Sequence, residues 1–228
     1  MNGARAMVLD QDTELADLIP SGQFQTARQA SLASVVDIPL GWWDARVDAD
    51  RARDGYGLLI MGGVLVRRVG YGGRYGAELL ADGDLLRPWE FDGDATLGFE
   101  TKWRVLAGCR MAVLDSIWAD RMARYPRVGP ALAGRALMRS RRLAAMMAIS
   151  QQPRLDERLW MLFWELADRH GRMTSSGVYL DLPLTHEVLS HLVAARRPSV
   201  SGALTKLAEQ GRVMREGRRW VLHGDPPQ

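Results

Sequence analysis

Residues 182–222 read LPLTHEVLSHLVAARRPSVSGALTKLAEQGRVMREGRRWVL, and this stretch constrains the fold more than any other. Thr185 is a natural N-cap, because its hydroxyl can satisfy a free N–H of a first helical turn, and Glu187 suits the positive end of that helix. Val188, Leu192 and Val193 then recur at helical spacing. After Ala194-Ala195-Arg196 a second helix is expected, with Pro198 at its first position, where a missing N–H costs nothing. Val200, Ala203, Leu204 and Leu207 form its inward face, and Gly211 suits a left-handed residue just past its end. Helices this short are not stable alone, so the two must pack on each other across a tight turn.

The outward positions of the second helix are Arg197, Ser199, Ser201, Gly202, Thr205 and Lys206, all short, polar or cationic. Val213 to Arg215, a Glu216-Gly217 turn and Arg218 to Leu222 then read as a β-hairpin, the wing of a winged helix. From Pro183 to Leu222 there are seven Lys/Arg against three Asp/Glu, whereas the whole chain carries only +3. A phosphate backbone would be drawn to that local excess. The candidate contacts to duplex DNA are Thr185, Arg196, Arg197, Ser199, Ser201, Gly202, Thr205, Lys206 and Arg218. Arg196-Arg197 lies at the inter-helix turn, where a phosphate contact sets register. The bland alternative is a packed helical module with solvated basic residues that mediates protein interaction.

The segment resembles the C-terminal DNA-binding domain of the Crp/Fnr family of bacterial transcription regulators. The residues that carry the likeness are Leu184-Thr185, Arg197-Pro198-Ser199-Val200, Leu204, Leu207 and Gly211. Two positions depart from the family's pattern. Pro198 stands where many relatives carry a base-reading Glu, and Gly202 replaces a frequent Arg. Base recognition is therefore expected to differ from that of the best-known members.

Composition narrows the remaining classes. The 228 residues allow two domains, and 47% hydrophobic with 25% charged residues is ordinary for a soluble globular protein. No apolar run approaches a membrane span, and no signal peptide is recognisable at the start. The single cysteine, Cys109, excludes an internal disulfide framework and fits a reducing cytoplasm. One cysteine is too few for an iron–sulfur cluster. All four histidines lie in the back half, so neither haem nor a metal-dependent cupin site is expected in the front half. No resident cofactor, metal or catalytic group is expected. Residues 1–20 read as a polar arm or short helix.

From about residue 31 to 114 short apolar runs alternate with glycine-rich turns, as in a β-roll or jelly roll. Runs are expected at 34–40, 58–61, 64–69, 75–80, 103–106 and 110–114. Gly62-Gly63 reads as the turn of a hairpin. The family resemblance places a cyclic-nucleotide-binding-type roll here and matches Gly83-Asp84 to the residues preceding its phosphate cassette. Relatives that bind the nucleotide continue with Gly-Glu and supply an Arg about ten residues on. This chain has Arg87-Pro88 instead, and no basic residue between Arg87 and Lys102, so cyclic AMP is not the expected effector. Arg87 and Trp89 are the weak candidates for another small-molecule effector. Trp42, Trp43 and Trp103 line a pocket or, more simply, build a core. Cys109, in an apolar strand-like context, reads as an inert buried thiol.

A short helix is expected at 116–125 and a longer one at about 128–150, with Leu132, Ala136, Leu143 and Met147 on one side. The resemblance makes the latter the dimer helix. Eight arginines and no acidic residue lie between Arg121 and Arg154. They read as an exposed basic flank, with a supporting role near DNA or pairing to acidic residues of the front half as the alternatives. Gln151-Gln152-Pro153 reads as a hinge, and Asp156 begins another helix with Leu159, Leu162, Phe163 and Leu166 inward.

The expected architecture is α+β: a β-roll sensor domain over 1–125, a dimerisation helix and hinge over 126–152, and a winged helix-turn-helix over 153–228. The expected function is sequence-specific binding of duplex DNA at a palindromic operator, as a homodimer, to regulate transcription. The resemblance adds RNA polymerase as a partner. A small-molecule-binding protein with an incidental helix-turn-helix remains the alternative from another class.

Overall fold

The computed structural model describes residues 4–88 and 97–227. The chain divides into two compact units, one of Met1–Arg67 with Leu79–Arg141 and the other of Arg68–Glu78 with Arg142–Gln228.

In the first unit the chain opens with β1 (Arg5–Met7), α1 (Val8–Gln11), α2 (Thr13–Ala16) and α3 (Phe24–Ala30). The strands follow: β2 (Leu32–Ile38), β3 (Gly41–Trp43), then a short α4 (Arg46–Ala49), β4 (Gly57–Tyr71), β5 (Arg74–Ala81), β6 (Leu85–Leu86) and β7 (Glu100–Leu114). They form one sheet in the order β1-β2-β7-β4-β5, with β3 added to β7 and β6 to β4. The α+β architecture expected from the sequence is therefore present. Its interior is a cluster built around Trp43 and Trp103, whose rings meet edge-to-face at 5.6 Å, with Leu58, Ile60, Leu65 and Met111. Those two tryptophans are core; Trp42, paired with Arg104 next to them in the ladder, is exposed with the Arg104 guanidinium 5.8 Å over its ring.

Two expectations about this sheet are corrected. Gly62-Gly63 does not turn the chain, because β4 is one strand of 15 residues and the turn comes at Gly72-Gly73, both at positive φ. Gly63 serves a close approach instead. It has φ 104°, and a Cβ there would lie 2.4 Å from the Gly108 carbonyl oxygen on β7. In the same way 103–106 and 110–114 are one strand through Gly108. Of the two readings of the opening residues the short helix holds, as α1 and α2, and the polar arm does not. Val8, Leu9, Leu15 and Ile19 are buried in a second cluster with Trp118, Met122, Val128 and Leu132. Cys109 is buried, and burial together with the nearby Asp82 charge pushes its thiol up to about 12, so it is inert at neutral pH.

After α5 (Ser116–Met122), capped by the Asp115 carboxylate accepting from Trp118 N–H, α6 runs from Val128 to Ser150, the bounds expected from sequence. The basic segment is not simply a solvated flank. Arg135 is largely buried, donates to both carboxylate oxygens of Asp12 and to Glu14, and reaches the Gly83 carbonyl. Arg139 donates to the Leu85 carbonyl and Arg121 to that of Leu32. Leu132, placed by periodicity on a self-packing face, is buried in this unit's core instead.

Besides residues 68–78 and the end of α6, the second unit contains α7 (Leu155–His170), β8 (Gly171–Thr174), β9 (Gly177–Leu180), α8 (His186–Leu192), α9 (Arg197–Glu209), β10 (Val213–Glu216) and β11 (Arg219–Leu222). Its sheet has the order β10-β11-β9-β8. The hairpin β8–β9 was not expected; its turn signal is Thr174 to Gly177, with Gly177 at φ 131°. Leu159, Leu162 and Phe163 of α7 are buried, α7 packs on α9, α9 packs on α8, and Phe163 meets Trp220 at 5.0 Å.

Candidate nucleic-acid interface

The paired helices α8 and α9 form from the caps and faces that the sequence provides. Thr185 Oγ1 accepts from Val188 N–H at 3.2 Å, and Val188, Leu189, Leu192 and Val193 are buried. Between the helices Ala194 sits at φ 50°, the left-handed region. That conformation costs a residue with a Cβ about 1 kcal/mol. Ala194→Gly is therefore expected to raise the unfolding free energy by a net of about 0.5 kcal/mol once glycine's greater unfolded-state entropy is offset. Chemical denaturation of the two proteins reads this directly.

Arg158 of α7 holds the turn in place. Its guanidinium donates to the Val193 carbonyl at 2.9 Å and twice to the Gln152 carbonyl. Sequence reading missed this residue, because a basic residue in the charged first turn of an amphipathic helix carries no local signal of such a role. The helix α9 starts at Arg197, so Pro198 is its second rather than first residue, still among the positions whose N–H has no helical partner. Val200, Leu204 and Leu207 are buried, and Gly211 at φ 66° ends the segment. The Trp220 indole N–H donates to the Leu184 carbonyl at 3.2 Å, tying the wing strand β11 to the start of α8.

The sequence-nominated residues fall into three groups. Arg196, Arg197, Ser199, Gly202 and Thr205 lie exposed along one region of α9 and its entry, and Arg218 is exposed at the wing turn beside Gly217, φ 61°. Thr185 is exposed but spends its hydroxyl on capping. Two side chains are committed elsewhere. Lys206 Nζ lies 2.5 Å from Oδ2 of buried Asp156 and so braces α9 on α7. Ser201 Oγ lies 2.8 Å from His186 Nδ1 and donates to the Arg197 carbonyl at 3.2 Å. Burial first, then the Arg215 and Arg197 charges, hold His186 below its ordinary pKa, so it is neutral at pH 7. Of the weak effector candidates, Arg87 is half-buried just past β6, and Trp89 lies outside the described residues.

A family model described as the Crp-like helix-turn-helix domain matches residues 157–228. That segment is similar to Crp-like helix-turn-helix domains. Solved structures share the fold across most of the chain. A cyclic nucleotide-binding domain containing protein from Listeria monocytogenes EGD-e superposes with TM-score 0.67 at 14% identity, covering 92% of this chain and 96% of that one. FixK2 from Bradyrhizobium japonicum gives TM-score 0.60 at 15% identity, over 84% and 93%. Among curated proteins, ycf28 of Porphyra purpurea, named as an HTH-type transcriptional regulator, is 26% identical over 102 residues. The alignment takes in 45% of this chain and 43% of that relative, so the match spans less than half of the relative's length. Together with the motifs of the Crp-like domain, the chain resembles Crp/Fnr regulators in order and in fold. Among the described residues no group of three or more His, Cys, Asp or Glu is placed to hold a metal ion, and no helix is long and apolar enough to cross a membrane.

Proposed function

We propose that this chain is a transcription regulator that binds specific duplex DNA as a homodimer, with α9 in the major groove and the β10–β11 hairpin as a wing. The observation that carries the reading is the exposed end of α9. Arg196 and Arg197 stand free of the core at its start, beside small residues that admit a groove edge, inside a Crp-like domain. Arg218, exposed at the wing turn, adds a third cation that a phosphate could meet.

Dimerisation rests on α6. Ala133, Leu137, Ser140, Ala144 and Met147 are all exposed and recur every four and three residues, the spacing of a helix that packs along its own copy. Leu137 is 70% and Met147 69% exposed. Leu137→Glu is therefore expected to weaken the dimer on the order of 100-fold, since each copy loses apolar burial and gains a charge in the seam. Sedimentation equilibrium over a protein concentration series measures it. An unchanged dimer constant would place the interface elsewhere.

The regulator is read as independent of cyclic AMP. Arg87-Pro88 stands where Gly-Glu would cradle the phosphate and ribose, and Pro88 has no N–H to donate. The experiment for the whole proposal is selection of duplexes from a random pool. It should yield an imperfect palindrome with half-sites roughly 34 Å apart, bound equally well with and without cyclic AMP. Recovery of no preferred sequence would contradict it and favour an interaction module.

A further inference from the structure

We infer that the groove face of α9 reads A·T base pairs through thymine methyl groups, with Thr205 and the bare backbone at Gly202 as the specificity-determining positions; this rests on the DNA-binding reading above. The usual means of reading guanine are missing from the middle of this face. Such readout needs a cationic side chain that can present two donors to O6 and N7. On α9 only Arg197 and Lys206 are cationic, and Lys206 is held by Asp156 at 2.5 Å. Arg197 sits at the helix start, so it serves one edge of the contact.

Two hydroxyls in the middle of the face, those of Thr205 and Ser201, are also turned away from a base. Thr205 Oγ1 donates to the Ser201 carbonyl at 3.2 Å, one turn back along the same helix. Ser201 Oγ donates to the Arg197 carbonyl and takes up His186 Nδ1, an arrangement that is complete when Nδ1 carries the imidazole proton. With its one proton donated to the backbone, exposed Thr205 offers a methyl outward rather than a donor. Pro198, Gly202 and Thr205 follow one another at helical spacing, i, i+4 and i+7, and all three are exposed. A ring, a bare Cα and a methyl make a shallow apolar strip. Nothing lies within 4 Å of where a Cβ at Gly202 would stand, so a base edge can come close to the helix backbone there. In the major groove the one apolar feature of a base pair is the C5-methyl of thymine. The strip and that methyl are complementary in size and polarity.

The test uses the full chain and the highest-affinity duplex from random selection. Each thymine in the half-site is replaced singly by deoxyuridine, which removes the methyl and leaves every hydrogen-bonding group. At one or two positions facing the middle of α9 the affinity should fall about five-fold or more. Thr205→Ser keeps the back-bonded hydroxyl and removes the methyl. It should weaken binding to the thymine duplex by a similar factor and abolish the deoxyuridine effect at its position. Specific binding with no loss for any deoxyuridine, or a G·C pair demanded at the middle positions, overturns this readout and leaves the DNA-binding reading standing. Failure to bind any duplex specifically overturns both.

Discussion

Trp118→Ala is expected to destabilise the N-terminal unit by about 4 kcal/mol. The indole is fully buried among Val8, Leu15, Met122 and Leu132, meets Tyr56 edge-to-face at 5.9 Å, and donates its N–H to the Ser31 carbonyl at 3.0 Å. Ser31 is itself fully buried and accepts from Leu9 N–H, so the loss reaches the first helices as well as α5. Truncation removes a large apolar area, opens a cavity and leaves the Ser31 carbonyl short of a partner. Since a domain is held by only about 5–15 kcal/mol, the variant should unfold at much lower urea. Trp118→Phe, which keeps most of the volume and loses only the N–H, should cost about 1–2 kcal/mol. Urea titration followed by circular dichroism distinguishes the two. Equal costs would mean that packing volume contributes little at this position.

A second large effect is expected at Asp156, in the C-terminal unit. Its side chain is only 8% exposed, yet it is ionised, because Arg154 at 2.7 Å and Lys206 at 2.5 Å hold it well below its ordinary value of 3.8. Both cations are about half exposed and rehydrate easily, so Asp156→Asn should cost about 2 kcal/mol rather than the larger penalty of a fully buried pair. The folded-state pKa lies below the unfolded one. The stabilisation is therefore complete above about pH 5 and is lost progressively as the pH falls below that. Wild type should lose stability on acidification, and Asp156→Asn should show a smaller loss over the same range. A variant that loses as much as wild type between pH 5 and 3 would mean that Asp156 is not paired as described.

The contrast between Lys206 and Arg197 shows how far the site was legible. Both are basic, both lie on outward positions of the second helix by periodicity, and both were nominated for DNA contact. Which of them is engaged depends on Asp156, fifty residues earlier, which local spacing cannot bring into view. Ser201 is similar, since its partner His186 belongs to the preceding helix. By contrast the caps and apolar faces of α8 and α9 are written within a few residues of one another. Thr185, Val200, Leu204, Leu207 and Gly211 could be placed from pattern alone.

In the sheet the same distinction holds. A pair of glycines between apolar runs signals a turn when nothing else is known, but Gly63 lacks a side chain because β7 passes against it. The reason is non-local, so the pattern misled, and one long strand was read as two. The helix α6 was placed at its observed bounds because its length and composition are local properties. Its inward and outward faces were not, since Leu132 is claimed by the core of the first unit.

The central claim is that α9 enters a DNA groove with Arg197 at the contact, and binding of the selected operator by wild type and Arg197→Ala over a salt series tests it most directly. If Arg197 meets a phosphate, affinity should fall for every sequence and the slope of log affinity against log salt should shrink by about one. If it meets a guanine edge, the loss should be about 1–3 kcal/mol and confined to duplexes that carry that base pair. Either result supports the placement. A folded Arg197→Ala protein that binds operator with unchanged affinity and unchanged salt slope would contradict it.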